Sequence, residues 1–256
     1  VLHHAQKVLG IFAAMRDFAK QLQAVGHQVT YLAIDDAKNQ QSLIANLDAL
    51  LQNGAFTCFE YQAPDEYRLD QQLTRYCTAL SVNCRCVDSE HFYTQRLEAA
   101  ALFGKRNSSK QEPSRVSNFS GKTHPKHPTK NWLMEHFYRH MRTLHNVLMT
   151  EPPTPEGGHW NYDPDNRNPW RGHPPEPADT RPTHNHSALW QCIQAADIKT
   201  FGNPEAEHFR WPLNRREALQ QLEDFIKNRL PYFGQYQDAM SAHAPHLFHS
   251  LLSFAL

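Results

Sequence analysis

The chain has no net charge: 26 Lys and Arg balance 26 Asp and Glu. Charge alone therefore selects neither nucleic acid nor a membrane surface as partner, although a local patch can. Nor is there a run near the roughly 18 consecutive apolar residues that a membrane helix needs. A Gly-x-Ser-x-Gly elbow, a P-loop and a Gly-x-Gly-x-x-Gly turn are all missing. A hydrolase or a P-loop enzyme thus has no sequence support. The start shows no signal-peptide pattern, and the five cysteines (Cys58, Cys77, Cys84, Cys86, Cys192) are odd in number. The odd count argues against a disulfide scaffold and for a reducing cytosol. Cys84-Arg-Cys86 is too tightly spaced for structural zinc. In a strand both sulfurs would face one side, as buried core cysteines. Histidines number 17, yet no pair has a zinc-like spacing beside a carboxylate. His136 and His140 are four apart, but Glu135 precedes the first instead of following it. No metal site is expected in this chain.

What is present is an alternation. Residues 4–24 carry Val8, Phe12, Met15, Phe18 and Leu22 at helical spacing, with Gly26 as a stop. Val29 to Ile34 reads as a strand, 41–52 as a helix, Ala55 to Tyr61 as a strand, 64–80 as a helix and Val82 to Val87 as a strand. This rhythm predicts an α/β fold: a Rossmann-like parallel sheet covered by helices with right-handed crossovers. Ligands of such sheets bind beyond the carboxyl ends of the strands, where Asp35, Asp36, Asp88 and Glu90 fall. The competing role for these four is helix capping.

Gln95 to Phe103 reads as helical. Residues 104–130 then turn polar and basic, with Glu112 the one acid. This insert is either a loop along a phosphate backbone or a solvated insertion. A helix from Asn131 to Met149 follows, with Trp132, Phe137, Met141, Leu144 and Leu148 apolar and Glu135, Arg139 and Arg142 spaced to pair. Glu156 to Arg167 is neither helical nor strand-like, with Gly157-Gly158, two aromatics and Pro164. It marks the seam between two architectures. A proline-rich spacer then leads to helices alone: 188–200, 214–230 with Asn214 and Glu217 as a capping box and Pro231 as its end, and a last one from Pro245. Ser250 and Ser253 sit three apart near that last helix start, an arrangement suited to a phosphate, or else simply solvated.

Seven motifs together carry a resemblance. They are His3-His-x-x-Lys7, Ala14-Met-Arg16, Gly26-His-x-Val-x-Tyr31 with Asp35-Asp36, Met134-Glu-x-Phe-Tyr-Arg-x-Met-Arg142, Gly157-Gly-x-Trp-Asn-Tyr-Asp163 with Asn166-Arg167, Phe233-Gly-x-Tyr-Gln-Asp-Ala-Met240, and His249-Ser-Leu-Leu-Ser253. In this order they resemble the deoxyribodipyrimidine photolyase-related proteins, the iron–sulfur bacterial cryptochromes and photolyases. The resemblance runs over almost the whole chain, and 104–130 departs as a longer insert.

The resemblance implies a flavoprotein with FAD, a lumazine-type antenna chromophore and a 4Fe-4S cluster. Its photolyase members repair (6-4) photoproducts in UV-damaged DNA by electron transfer from reduced flavin to a flipped-out lesion. By position, Tyr236, Ser250, Leu251, Leu252 and Ser253 resemble the start of the FAD site. Tyr162, Arg167 and Asp238 resemble residues on the DNA side. The implied division is an α/β antenna domain over 1–149, an interdomain linker over 150–187 and the first helices of an all-helical FAD domain over 188–256. The catalytic residues, cluster cysteines and electron-transfer aromatics are expected beyond Leu256, and a first strand before Val1. The fragment alone is then expected to be inactive, to hold no cofactor tightly and to be a monomer away from membranes. The alternatives are a blue-light-sensing cryptochrome without repair activity and a non-catalytic remnant.

Overall fold

The computed structural model describes residues 2–96, 98, 133–151 and 153–253. The basic insert 104–130, Trp132 and most of the helix expected over 95–103 lie outside the described residues. The chain forms two compact units, one of residues 1–41 and 161–256, the other of residues 42–160. The division falls between Trp160 and Asn161, inside the Gly-Gly stretch that the sequence marks as a seam.

In the first unit the leading element is α1 (Ala5–Ala24). His4 caps it, its Nδ1 accepting from the Gln6 amide at 3.2 Å. The fully buried residues of α1 are Ala5, Leu9, Gly10, Ala13 and Ala19; of the expected stripe, Val8 and Phe12 pack against this core while half-buried. Met15 and Phe18 of that stripe are exposed. Small residues win the inner face because they admit α5 (Ser187–Ala195) at close range. Leu9, Ala13, Leu189, Ile193, Phe209 and Leu213 make the core there. At the start of α1, β1 (His3–His4) pairs in parallel with β6 (Thr200–Phe201). The helix expected to reach residue 200 thus ends at Ala195, and its last residues become a strand.

The segment Val29 to Ile34, expected as a strand, has no regular structure over 29–33, enters a turn at Ile34 and forms no ladder among the described residues. Side chains take the carbonyls that a sheet partner would take. Asn39 Nδ2 donates to the Ala33 carbonyl at 2.9 Å, and Gln41 Nε2 to that of Ile34 at 2.8 Å.

The second unit does contain the expected parallel pairing. β2 (Cys58–Gln62) and β3 (Asn83–Val87) run side by side in register from Cys58 with Asn83 to Gln62 with Val87. α3 (Tyr67–Ala79) connects them, capped by Glu66, whose Oε2 accepts from the Leu69 amide at 2.7 Å. α2 (Leu43–Asn53) is capped by Ser42. Asp36 therefore caps no helix; it closes a turn by accepting from the Lys38 amide at 2.8 Å. Mixed helix and parallel strand is the α/β character read from the sequence.

α4 (Met134–His145) stops four residues before the expected end. Asn146 and Leu148, with φ of 52° and 51°, fold the chain back on it. That return places the Val147 and Leu148 carbonyls on the Arg142 guanidinium, which buries Arg142. Glu135 and Arg139 do pair, at 2.7 Å, but Arg142 does not join them at the surface. It lies instead over the Trp160 ring at 5.3 Å. β4 (Met149–Thr150) and β5 (Thr154–Pro155) close a short antiparallel turn beyond it.

In the first unit again, α6 (Arg215–Asp224) has the expected Asn214 cap, which accepts from the Glu217 amide at 3.0 Å, but the Glu217 carboxylate takes the Leu213 amide instead of closing the box on Asn214. Pro231 does not end the helical run. A π-helical turn, Phe225–Arg229, passes directly into α7 (Leu230–Tyr236), with Pro231 in its first turn, where a missing N–H is tolerated. Residues 245–253 form turns and extended chain, not the helix expected from Pro245.

Candidate functional site

The sequence singles out Tyr162, Arg167, Tyr236, Asp238 and Ser250 to Ser253, all of which belong to the first unit. The linker lies along the end of α7 and brings several of them together. The Asn168 amide donates to the Gln235 carbonyl at 3.3 Å and the Asp238 amide to that of Asn166 at 3.1 Å. Asn166 Nδ2 reaches Gln237 Oε1 at 3.3 Å. Arg167 is thereby set opposite Asp238, at 3.7 Å, with both side chains more than half exposed. Tyr236 turns its hydroxyl to the His173 carbonyl at 3.3 Å. Tyr162 stands at the entrance of the single 3-10 turn Asp163–Asp165 and is 46% exposed.

The serine run follows a second apolar cluster. Ala244, Leu247 and Phe248 are buried against Trp170, Phe233, Tyr236 and Ala239. The Phe248 ring meets those of Tyr232 and Tyr236 at 5.3 and 5.5 Å. Immediately beyond, Ser250 Oγ accepts from the Leu252 amide at 3.4 Å. Leu251 between them has φ of 57°, a left-handed conformation that a leucine rarely adopts. Tyr236 and the serine run are thus linked through Phe248. The helix start on which the phosphate reading rests is not formed, and the Leu252 amide is already given to Ser250; what remains to suit a phosphate is the donor chemistry of the two serine hydroxyls.

A polar layer, which the sequence did not reveal, backs this turn. Arg229 is buried, with Nε on Asp224 at 3.0 Å, Nη1 on the Leu247 carbonyl at 2.7 Å and Nη2 on the Ala178 carbonyl at 2.8 Å. Glu176 Oε1 accepts from the His246 and Leu247 amides at 3.1 and 2.8 Å. Arg181 bonds Asp179 at 2.9 Å, lies 5.0 Å over the Trp211 ring and reaches His246 Nε2 at 3.0 Å. Hydrogen bonds from Arg181 hold the Asp179 carboxyl down at about 2. Burial and the neighbouring Arg181 cation lower the pKa of His246. A guanidinium only donates, so Nε2 of His246 accepts and the neutral ring carries its proton on Nδ1. The signal for Arg229 was weak in sequence, where it resembles any basic residue in a last helical turn.

In the second unit a cleft of about 440 Å³ opens beyond the carboxyl ends of β2 and β3. Gln62, Ala63, Pro64, Asp65, Ser89, Glu90 and His91 line it. Glu90 therefore lies where a parallel sheet is expected to take ligands. Asp88, by contrast, accepts from the Ser89 amide at 2.8 Å and closes a local turn. Asp35 accepts from Cys192 Sγ at 3.5 Å, in the first unit. Cys77, Cys84 and Cys86 cluster with Tyr61 around the same sheet; burial and then the Cys84 hydrogen bond push the Cys77 thiol up to about 11. Such a thiol is inert at neutral pH. Among the described residues, no group of three or more His, Cys, Asp or Glu could hold a metal ion. The four-thiolate set of an iron–sulfur cluster is not formed by them.

The deoxyribodipyrimidine photo-lyase-related protein model matches residues 1–113 and 118–211. A (6-4) photolyase of Agrobacterium fabrum is 30% identical over 259 residues, which cover 98% of this chain and 45% of that relative. The protein is thus photolyase-like in class. It belongs to the deoxyribodipyrimidine photo-lyase-related protein family. The chain spans a little under half the length of this curated relative.

Proposed function

We propose that these residues are part of a light-driven DNA lyase that repairs (6-4) pyrimidine photoproducts. The observation that carries this reading is the 30% identity to a (6-4) photolyase, sustained over 98% of the chain. In this reading residues 1–149 supply the α/β antenna portion, 150–187 the linker and 188–256 the first helices of the FAD-binding domain. The compact units do not follow these lines, because α1 packs against α5. Bound FAD would supply the electron for lesion cleavage.

This chain's own residues then bind and orient. Ser250 and Ser253 would hold the FAD phosphates through their hydroxyls, and Tyr236 would support that turn through Phe248. Tyr162 and Arg167 would meet DNA by stacking and by phosphate contact, with Asp238 orienting Arg167. The lumazine-type antenna chromophore and the 4Fe-4S cluster belong to the whole protein in this reading, and no cluster ligand is assigned here. The stretch 1–256 alone is inactive and a monomer, and the whole protein is cytoplasmic. No helix among the described residues is long and apolar enough to cross a membrane.

The decisive experiment is an absorbance spectrum of the full-length natural protein, followed by a repair assay on (6-4)-lesion DNA under blue light. Bound flavin with light-dependent repair is expected. Absence of flavin after reconstitution overturns the reading. Flavin without repair transfers the protein to the light-sensing cryptochromes.

A further inference from the structure

We propose that Arg229 and Glu176 form a clamp that presets the Ser250–Ser253 turn, and that both are positioning residues for binding the flavin phosphates. The inference rests on the reading of that turn as a phosphate site.

The clamp grips one short piece of backbone from two sides. Glu176 takes the amides of His246 and Leu247, at 3.1 and 2.8 Å. Arg229 takes the carbonyl of Leu247, at 2.7 Å. Its remaining donors go to the Ala178 carbonyl and to Asp224. Linker, helix and turn are thereby tied through a single guanidinium that is 1% exposed.

The helix is deformed in the manner this arrangement needs. In an α-helix, residues five apart lie about 140° apart around the axis. Asp224 and Arg229 could not then meet on one face. The π-helical turn Phe225–Arg229 widens the helix, and the two pair at 3.0 Å. A strained helix and a desolvated ion pair are poor ways to gain stability, since apolar replacements of buried pairs are often as stable. What the pair does secure is the geometry of the backbone it holds.

That backbone requires holding. Leu247 and Leu251 have φ of 39° and 57°. Non-glycine residues in such conformations are strained and persist where their surroundings over-determine them. Leu247 is fixed by the clamp itself. Leu251 follows four residues later, after Phe248 has been anchored on Tyr232 and Tyr236. The hydroxyls of Ser250 and Ser253 are thus presented from a turn whose entry is set in advance.

The test uses the full-length natural protein with Arg229→Met, Glu176→Ala and Glu176→Gln. Hydrogen exchange is measured at the amides of residues 246–252, and affinity is measured for FAD and for riboflavin, which has no phosphates. Arg229→Met and Glu176→Ala are expected to speed exchange and to weaken FAD by about tenfold relative to riboflavin. Glu176→Gln keeps an acceptor oxygen and should stay near wild type. Should Arg229→Met not fold, the Glu176 pair decides alone. Unchanged exchange, or an equal loss for FAD and riboflavin, overturns the clamp. Separately, Ser250→Ala with Ser253→Ala leaving FAD affinity intact defeats the phosphate reading, whatever exchange shows.

Discussion

The two compact units bury their side chains in different ways. The first closes α1, α5 and Phe209 into an apolar core, then adds Glu217, Gln221 and Arg229 as buried polar groups. The second buries Ala63, Leu73, Pro155 and Arg142 among its described residues, and α2 buries none. Its order comes chiefly from the β2–β3 ladder and from hydrogen bonds such as Tyr76 to Asp48 at 2.6 Å. Two parallel strands do not make a stable sheet unless their faces are covered. The first unit is thus held by packing, whereas the described residues of the second combine one strand pairing with little burial and have less to lose in any one core side chain.

Truncating the core of each unit should expose this difference most strongly. Phe209 is fully buried, and Phe209→Ala should cost about 3–5 kcal/mol, from lost transfer energy and the cavity left behind. Leu73→Ala in the second unit should cost about 2 kcal/mol, at the low end for a buried leucine. Denaturant unfolding monitored by amide exchange in α1 and in β2–β3 reads each separately. Equal costs would abolish the contrast.

Next in size is Gly202, which directly follows β6. Its φ is 78°, and an added Cβ would lie 2.2 Å from His4 Nε2. The His4 ring cannot simply swing aside, because its Nδ1 caps α1 and its face meets Phe201. Gly202→Ala should cost about 1–3 kcal/mol, measured as a fall in midpoint, with α1 fraying first. An unchanged midpoint would show that the cap is dispensable.

These sites also show what could be read from residues alone. The β2–β3 pairing and the Asn214 cap follow from local patterns, and each is present. Longer-range competition decided the rest. The α1 stripe holds at Val8 and Phe12, which pack on the core, but its centre shifts to Leu9 and Ala13, where small residues let α5 approach, and Met15 and Phe18 are left exposed. Val29 to Ile34 lost its ladder to Asn39 and Gln41, whose side chains took the carbonyls. For the site, Tyr236 and Ser250 to Ser253 were legible as motifs. Arg229 and Glu176 were not, because their partners lie 18 and more than 50 residues away in sequence.

The units should also respond to opposite ends of the pH scale. Asp179 in the first unit titrates near 2, below an ordinary aspartate. A depressed carboxyl stabilises the fold above its unfolded pKa. That contribution fades as pH falls through about 4 toward 2. In the second unit Tyr76 is raised to about 12, by burial first and then by its bond to Asp48. Its contribution is complete below the unfolded value near 10 and is lost as pH rises toward 12. Tyr76→Phe should remove about 1 kcal/mol at neutral pH and shrink the alkaline loss, leaving the share carried by Tyr61, raised to about 12, and by Cys77, raised to about 11. Denaturant midpoints across the pH range check both arms. A Tyr76→Phe protein that weakened above pH 10 as much as the unsubstituted one would assign the alkaline loss to Tyr61 and Cys77 alone.

The smallest stability effect is expected at Arg167. Its ion pair with Asp238 is long, at 3.7 Å, and exposed on both sides. Solvent and salt screen such a pair, so Arg167→Ala should change stability by under about 1 kcal/mol. Its effect on DNA should be the larger one if the proposed interface is right. Each phosphate contact removed lowers the slope of log affinity against log salt by about 0.9 for a duplex. The Asp238→Asn variant separates the two roles. It frees the guanidinium from its carboxylate without removing it, and should leave the slope intact while altering affinity only modestly. Binding of lesion DNA by the full-length protein, titrated across salt, distinguishes them. An Arg167→Ala protein with an unchanged slope would make Arg167 a partner of Asp238 and nothing more.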